Sequence, residues 1–221
     1  MGKNLKQFTP KELRKVTGIA KAAARLFNEK GFLETSMDDI SAAAKLSKGG
    51  IYHYFSSKNE MLYFICTNFM GLLLKGLKQE LEKIRENYAK IQYVISRHIE
   101  FYTKNIAEAK TTIHEGHLLP SEYFKVIGEQ QRQYHRIVGD VLSDYFGGRV
   151  SKGELKVITF ILFGTCNGIY FWYDPRGSMT PKELSGIIIN LLCRGLSGYK
   201  AKGKARMRCS ISFVPISWVS C

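Results

Sequence analysis

The residues best suited to chemistry lie in Ser47-Lys48-Gly49-Gly50-Ile51-Tyr52-His53-Tyr54-Phe55, and the chemistry is hydrogen bonding to a polyanion, with no bond made or broken. Ser47 can cap a short helix, and Gly49 and Gly50 in its first turn cost about 1 kcal/mol each relative to alanine. Something other than helix stability therefore favours them. Glycine lets a groove wall come close, while free N–H groups at a helix N-terminus, a lysine and tyrosine hydroxyls suit phosphate. The competing reading is a small structural hairpin that happens to be basic. His114-x-x-His117, with Glu115 between them and His135 beyond, could collect a metal. Neither Cys nor carboxylate stands beside them at ligand spacing, so a surface or pocket-lining role is expected and no metal. The sequence holds no Gly-x-Ser-x-Gly, no phosphate loop, no dinucleotide fingerprint and no Cys with an assignable base, so neither an enzyme nor a cofactor is expected.

The surrounding elements read as helices. Ser36 with Asp39 is a capping-box variant opening a helix with Ile40, Ala43 and Ala44 on one face, which stops near Lys45-Leu46. The next helix spans Lys48 to Phe55 with Ile51 and Phe55 inward and Lys48, Gly49, Tyr52, His53 and Tyr54 outward, so the pair forms a helix-turn-helix. Ahead of them, a helix from Pro10 carries Val16, Ile19, Ala20, Ala23, Leu26 and Phe27 as one stripe and ends at Gly31, with Phe32 closing the small core. Ser57-Lys58-Asn59-Glu60 opens a fourth helix with Met61, Leu62, Ile65, Cys66, Phe69, Leu72 and Leu73, running to about Leu77 as a lever. In the body, Ile91, Val94, Ile95, His98, Ile99 and Tyr102 mark one helix and 107–119 a second. A third runs from Tyr123 to Tyr145, and a nearly all-round apolar one covers 152–173. Thr180-Pro181-Lys182-Glu183 starts the last, with Leu184, Ile187, Ile188, Leu191, Leu192 and Leu196.

The run LFNEKGFLETSMDDISAAAKLSKGGIYHYFSSKNEML resembles the DNA-binding domain of TetR-family transcriptional regulators. The resemblance rests on Phe27-x-x-x-Gly31-Phe32, the Thr35-Ser36 entry, Gly50-Ile51-Tyr52-x-Tyr54-Phe55 and Lys58. It implies an all-α homodimer, a helix-turn-helix head, a ligand pocket behind it, and dimerisation through the last two helices. The apolar surplus on 152–173 and 181–198 points to the same four-helix interface. FWYDPRGSMTPKELS also resembles a segment of TetR regulators of fatty-acid and sterol degradation that respond to acyl-CoA thioesters. Those resemblances imply double-stranded DNA with a palindromic operator and a small hydrophobic effector as partners. Lys48, Gly49 and Gly50 are expected at base edges, Thr35, Ser47, Tyr52, Tyr54 and Lys58 at phosphates, with Ser36 and His53 on the same face. Phe101, Tyr102, His117, Tyr134, Asn167, Phe171 and Trp172 are the candidate ligand contacts, and Lys125, Arg132 or Arg136 would meet the thioester's phosphates. For Tyr170 to Tyr173 core or dimer packing remains the competing reading.

Bulk properties bound the rest. Lys and Arg outnumber Asp and Glu by 33 to 19 in 221 residues, a net charge of +14, which favours a polyanionic partner. Cys66, Cys166, Cys193, Cys209 and Cys221 follow neither a disulfide nor a zinc pattern, and the polar N-terminus lacks an export signal, so a cytoplasmic location is expected. Val157 to Tyr173 is read as too short and too interrupted to cross a membrane, and no membrane partner is expected. The expected organisation is 1–57 as DNA-binding head, 58–199 as ligand-binding and dimerisation body, and 200–221 as a basic disordered tail. The alternative function is a basic protein binding nucleic acid or anionic membrane without sequence preference.

Overall fold

The computed structural model describes residues 9–198, and every regular element in that range is helical. Helix α1 spans Pro10–Lys30, α2 Met37–Ala44, α3 Lys48–Tyr52, α4 Lys58–Leu74, α5 Leu77–Glu82 and α6 Asn87–Lys104. Then follow α7 Ile106–His114, a 3-10 turn Gly116–Leu118, α8 Ser121–Phe146, α9 Lys152–Asn167, α10 Ile169–Trp172 and α11 Pro181–Gly198. The tail expected over 200–221 lies outside the described residues.

Local sequence explains most boundaries. Thr9, Ser36 and Ser151 each accept from the backbone N–H three residues on, while Glu12, Asp39 and Glu154 accept in return from the cap's own N–H. Thr180 and Glu183 do the same for α11, with distances of 3.2 and 2.8 Å. Gly31 ends α1 at φ 90 with its N–H on Phe27 O, a conformation that disfavours any side chain.

Two hydrophobic cores organise these helices. The first joins Val16, Ile19, Phe27, Phe32, Ile40, Ile51 and Phe55 to Met61, Leu62, Phe64, Ile65 and Cys66 of α4. Helix α3 is too short to hold itself, since isolated helices below about 12–15 residues are marginal. Ile51, 0% exposed, anchors it by burying a side chain that contributes about 1.5–3 kcal/mol. The second core begins at Phe69 and gathers Leu73, Leu77, Ile91, Ile95, Ile99, Val138, Leu142 and Phe163. The change from one core to the other thus falls inside α4, between Cys66 and Phe69, and not at its start. The head is also fastened through α7: Asn28 Nδ2 donates to Ala107 O at 2.9 Å and Thr111 Oγ1 to Ala24 O at 3.2 Å. Alanines at 22, 23 and 24, all buried, let the two helices come close enough for both bonds.

Several expectations need correction. Helix α3 stops at Tyr52, and Phe55 reaches the core from the loop after it. Ala43 is exposed, because the eight-residue α2 buries only Ile40. The lever ends at Leu74, where Gly76 turns the chain at φ 73 and Arg97 Nη2 donates to the carbonyls of Leu73 and Lys75 at 3.2 and 2.7 Å. Leu72, read as inward, is 43% exposed, and Phe124 at the start of α8 is 48% exposed. The helix expected over 152–173 breaks after Asn167, where a Cβ on Gly168 would come within 3.1 Å of Gly164 O, and 107–119 divides into α7 and the 3-10 turn. On α11, Leu184 and Ile188 belong to the protein's own core, whereas Ile187 and Leu191 face out.

Length and composition alone would let Lys58–Glu82 and Lys152–Trp172 cross a membrane, contrary to the expectation for the second. Each is a broken helix, interrupted at Lys75-Gly76 or at Gly168. Each also packs one face on the cores just described, as the interior of a globular protein requires.

Candidate nucleic-acid interface and effector core

Helices α2 and α3 present one continuous polar face. Lys48, Gly49, Tyr52 and His53 are exposed, Gly50 and Tyr54 half-buried, and the Tyr54 ring meets His53 edge-on at 4.8 Å. A Cβ at Gly49 would meet nothing within 4 Å, whereas one at Gly50 would meet Ser47 Oγ at 3.3 Å. The fold therefore explains the glycine at 50 and leaves the one at 49 to be explained by whatever approaches α3. Lys48 Nζ is held by Asp38 of α2 at 2.9 Å, and that carboxylate keeps the lysine's pKa above its ordinary value. Asp38 was not singled out from sequence; only the turn brings it beside Lys48. Lys45, which caps α2 at φ 55, is a further exposed lysine on this surface that spacing alone did not mark.

The remaining nominated groups divide. Ser47 Oγ accepts from Gly50 N at 3.1 Å, so it shapes the helix and can still donate its proton outward. Ser36 is exposed, but its hydroxyl already donates to Asp39 Oδ2 at 2.7 Å and accepts from Asp39 N at 3.0 Å. Lys30 and the Ser36 cap together hold Asp39 far below the usual carboxylate range. Thr35 is not on the surface: at 1% exposure its Oγ1 donates to Gly31 O at 2.7 Å, closing the turn between α1 and α2. Lys58 Nζ donates to the carbonyls of Phe32 and Leu33 at 2.7 and 3.0 Å and lies over the Phe32 ring. It ties α4 to that turn and keeps a further N–H for a phosphate.

In the body, Tyr102 and Tyr134 are buried and Asn167 half-buried, and these three surround His98, while the half-buried Phe101 packs on Phe69. His98 is 1% exposed, its Nδ1 is 3.0 Å from Tyr134 Oη, and its ring stacks on Tyr102 at 4.0 Å. Periodicity did place it inward, and an imidazole in such a stripe was the available signal. His117, Phe171 and Trp172 do not join them. His117 is exposed on the 3-10 turn, and Phe171 and Trp172 are 70% and 61% exposed at the end of α10. The break at Gly168 turns that aromatic pair outward. His114 meets the Tyr170 and Phe171 ring edges while His135 stacks on Phe163 at 4.0 Å, so the three nominated histidines do not converge, and no metal-binding cluster occurs among the described residues. Arg132 and Arg136 both bind Glu129, at 2.8 and 2.9 Å, on the outer face of α8.

Burial pushes the His98 pKa down to about 3, opposed by Asn167 and reinforced slightly by His135. The ring is neutral at ordinary pH. Because its folded pKa lies below the unfolded value of 6.5, the unfolded chain takes up the proton first, and stability present above 6.5 is lost as the pH falls towards 3. Urea unfolding should show about 2 kcal/mol of this lost by about pH 5. His98→Gln should flatten the slope; an unchanged slope would show that another group is responsible.

On the far side of the body, Val157, Ile158, Ile161 and Leu162 of α9 with Leu191 and Leu192 of α11 line an open apolar groove of about 630 Å³. Val157, Phe160, Ile161, Ile187 and Leu191 are 47–70% exposed.

A short helix carrying Lys48 and Gly49 outward, braced by a three-helix core and fixed to a helical body, defines a helix-turn-helix DNA-binding protein. Residues 19–63 match the family model "Bacterial regulatory proteins, tetR family", and residues 85–196 match "Tetracyclin repressor-like, C-terminal domain". The chain belongs to the TetR family of transcriptional regulators and is not an enzyme. Among its relatives is the HTH-type transcriptional repressor KstR2 of Mycobacterium tuberculosis, 23% identical over 81% of this chain and 91% of the repressor. The fatty acid metabolism regulator protein of Bacillus subtilis is 23% identical over 87% of this chain and 98% of its own. AibR, solved in complex with isovaleryl coenzyme A and operator DNA, superposes with a TM-score of 0.70 at 23% identity, covering 80% of this chain and 97% of AibR.

Proposed function

We propose that two copies of this chain bind a palindromic operator through paired α3 helices and repress transcription until a small hydrophobic effector, an acyl-CoA thioester, occupies the body core. The observation that carries the DNA half is Gly49, a helix-weakening residue that the fold does not need and that stands open on the α3 surface. Lys48, Gly49 and Gly50 would meet base edges, and Ser47, Tyr52, Tyr54 and Lys58 the phosphates, with His53 and Ser36 at the margin of the same face. Two such helices enter successive major grooves about 34–36 Å apart. The head is residues 1–57 by this reading, sharing the first half of α4 with its core, and the body 58–199 holds the effector around His98, Phe101, Tyr102, Tyr134 and Asn167. The effector class draws support from the fatty acid metabolism regulator and from the coenzyme A ester bound to AibR. Such a regulator works at the chromosome, in the bacterial cytoplasm.

The effector must favour the arrangement of heads that cannot span both grooves, and it shifts the equilibrium only by that difference, about 1–3 kcal/mol in typical allostery. Footprinting on genomic fragments followed by titration with acyl-CoA thioesters of graded chain length tests both halves. A discrete palindromic footprint that one thioester releases is the expected result. Sequence-blind binding would instead leave a basic protein with affinity for any nucleic acid or anionic membrane. A footprint that survives every thioester would remove the effector assignment alone.

A further inference from the structure

Among the described residues, the buried side-chain atoms without a hydrogen-bond partner are Arg97 Nε, His98 Nε2, Gln130 Oε1 and Asn167 Oδ1. All four come from α6, α8 and α9, the helices around the body core. Buried hydroxyls elsewhere are satisfied: Thr35, Thr103, Thr111, Thr112 and Thr159 each donate to a backbone carbonyl. Unpaired buried polar atoms cost about 1–3 kcal/mol each. Arg97 and Gln130 are each held through another atom, on the carbonyls of Leu73, Lys75 and Thr67, whereas His98 and Asn167 face one another, and it is this pair that calls for an occupant.

The proton inventory at His98 says what that occupant offers. Burial keeps the Tyr134 phenol protonated, and in the tautomer in which its hydroxyl donates to His98 Nδ1 the imidazole proton is on Nε2, towards Asn167. Asn167 faces the imidazole from α9 and raises its pKa as a hydrogen-bonding neighbour, but the approach is too long or too oblique to satisfy either Nε2 or Asn167 Oδ1. We propose that His98 Nε2–H and the Asn167 amide bind an uncharged oxygen, a carbonyl or a hydroxyl, on the buried part of the effector; this rests on the reading that the body core holds an effector. A carbonyl oxygen accepts from Nε2–H and, with the amide turned, from Asn167 Nδ2–H as well. A hydroxyl accepts from Nε2–H and donates to Asn167 Oδ1. A plain hydrocarbon leaves both groups unpaired, and a carboxylate would be buried against a neutral imidazole, phenol and amide, the Arg97 guanidinium that acts on Tyr134 being already engaged by the Leu73 and Lys75 carbonyls. Tyr102, stacked on the ring, and Phe163, 6.2 Å from it, hold the imidazole in position.

Calorimetric titration of the full-length protein with octanoyl-CoA, its octyl thioether, which lacks the carbonyl, and 3-hydroxyoctanoyl-CoA tests the proposal. Thioester over thioether by at least about tenfold identifies a carbonyl, and hydroxyacyl over acyl by the same margin identifies a hydroxyl. In either case the preference should disappear in Asn167→Ala and in His98→Gln. Should His98→Gln fail to fold, Asn167→Ala decides, since it alters a half-buried residue at the end of α9. Equal affinity for all three ligands, or a preference that survives in Asn167→Ala, overturns the proposal and leaves the effector reading standing. No binding of any of them removes both.

Discussion

Gly49→Leu is expected to weaken operator binding by more than an order of magnitude while leaving the protein at least as stable as before. The space around Gly49 is open, so the new side chain meets nothing in the protein, and leucine is favoured over glycine in a helix by about 0.8 kcal/mol. The same side chain holds α3 away from the floor of a major groove. Losing two good base contacts, each worth about 1–3 kcal/mol, lowers affinity by about thirtyfold or more. Thermal unfolding and gel-shift titration of the one variant measure the two effects separately. Gly50→Ala provides the contrast: its Cβ presses on Ser47 Oγ at 3.3 Å, so some of its loss will appear as instability. If Gly49→Leu binds the operator as tightly as the unmodified chain, α3 is not the element that enters the groove.

Ile161→Asp combined with Leu191→Asp should give a folded monomer that has lost the operator. These residues are 56% and 70% exposed, on neighbouring helices that also expose Val157, Phe160 and Ile187, and an apolar face of this extent is what a second copy would cover. Two carboxylates placed there would be desolvated without partners in a dimer and fully hydrated in a monomer. Without the second head, binding loses the effective concentration that links two half-sites, a factor of about 10²–10⁴. Leu184→Asp, on the same helix but 3% exposed, should unfold the body instead. Sedimentation and circular dichroism of the two variants separate these outcomes. An unmodified chain that sediments as a monomer would remove both the interface and the two-groove geometry.

Local signals in the sequence were enough to place the helices and the recognition element. Capping pairs such as Ser36 with Asp39 and Ser151 with Glu154 act within one turn, and apolar stripes such as Ile91 to Tyr102 report one helix face at a time, so both are legible without knowing the neighbours. Gly49 and Lys48 were legible for the same reason: an intrinsically poor helix turn needs no tertiary information to look anomalous. What the sequence could not determine depends on which helix lies against which. Thr35 looked like a surface hydroxyl until α1 and α2 closed over it. That Lys58 also ties α4 to the α1–α2 turn emerges only when the carbonyls of Phe32 and Leu33 come within reach, and Asp38 acquired its role only when the turn brought Lys48 to it. Leu184 and Leu191 share an apolar helix, and only the packing of α11 decides that the first is core and the second surface. His98 shows the same limit in the body: periodicity turned it inward, but its partner Tyr134 lies 36 residues away on another helix, and that distance in the chain can be closed only by the fold.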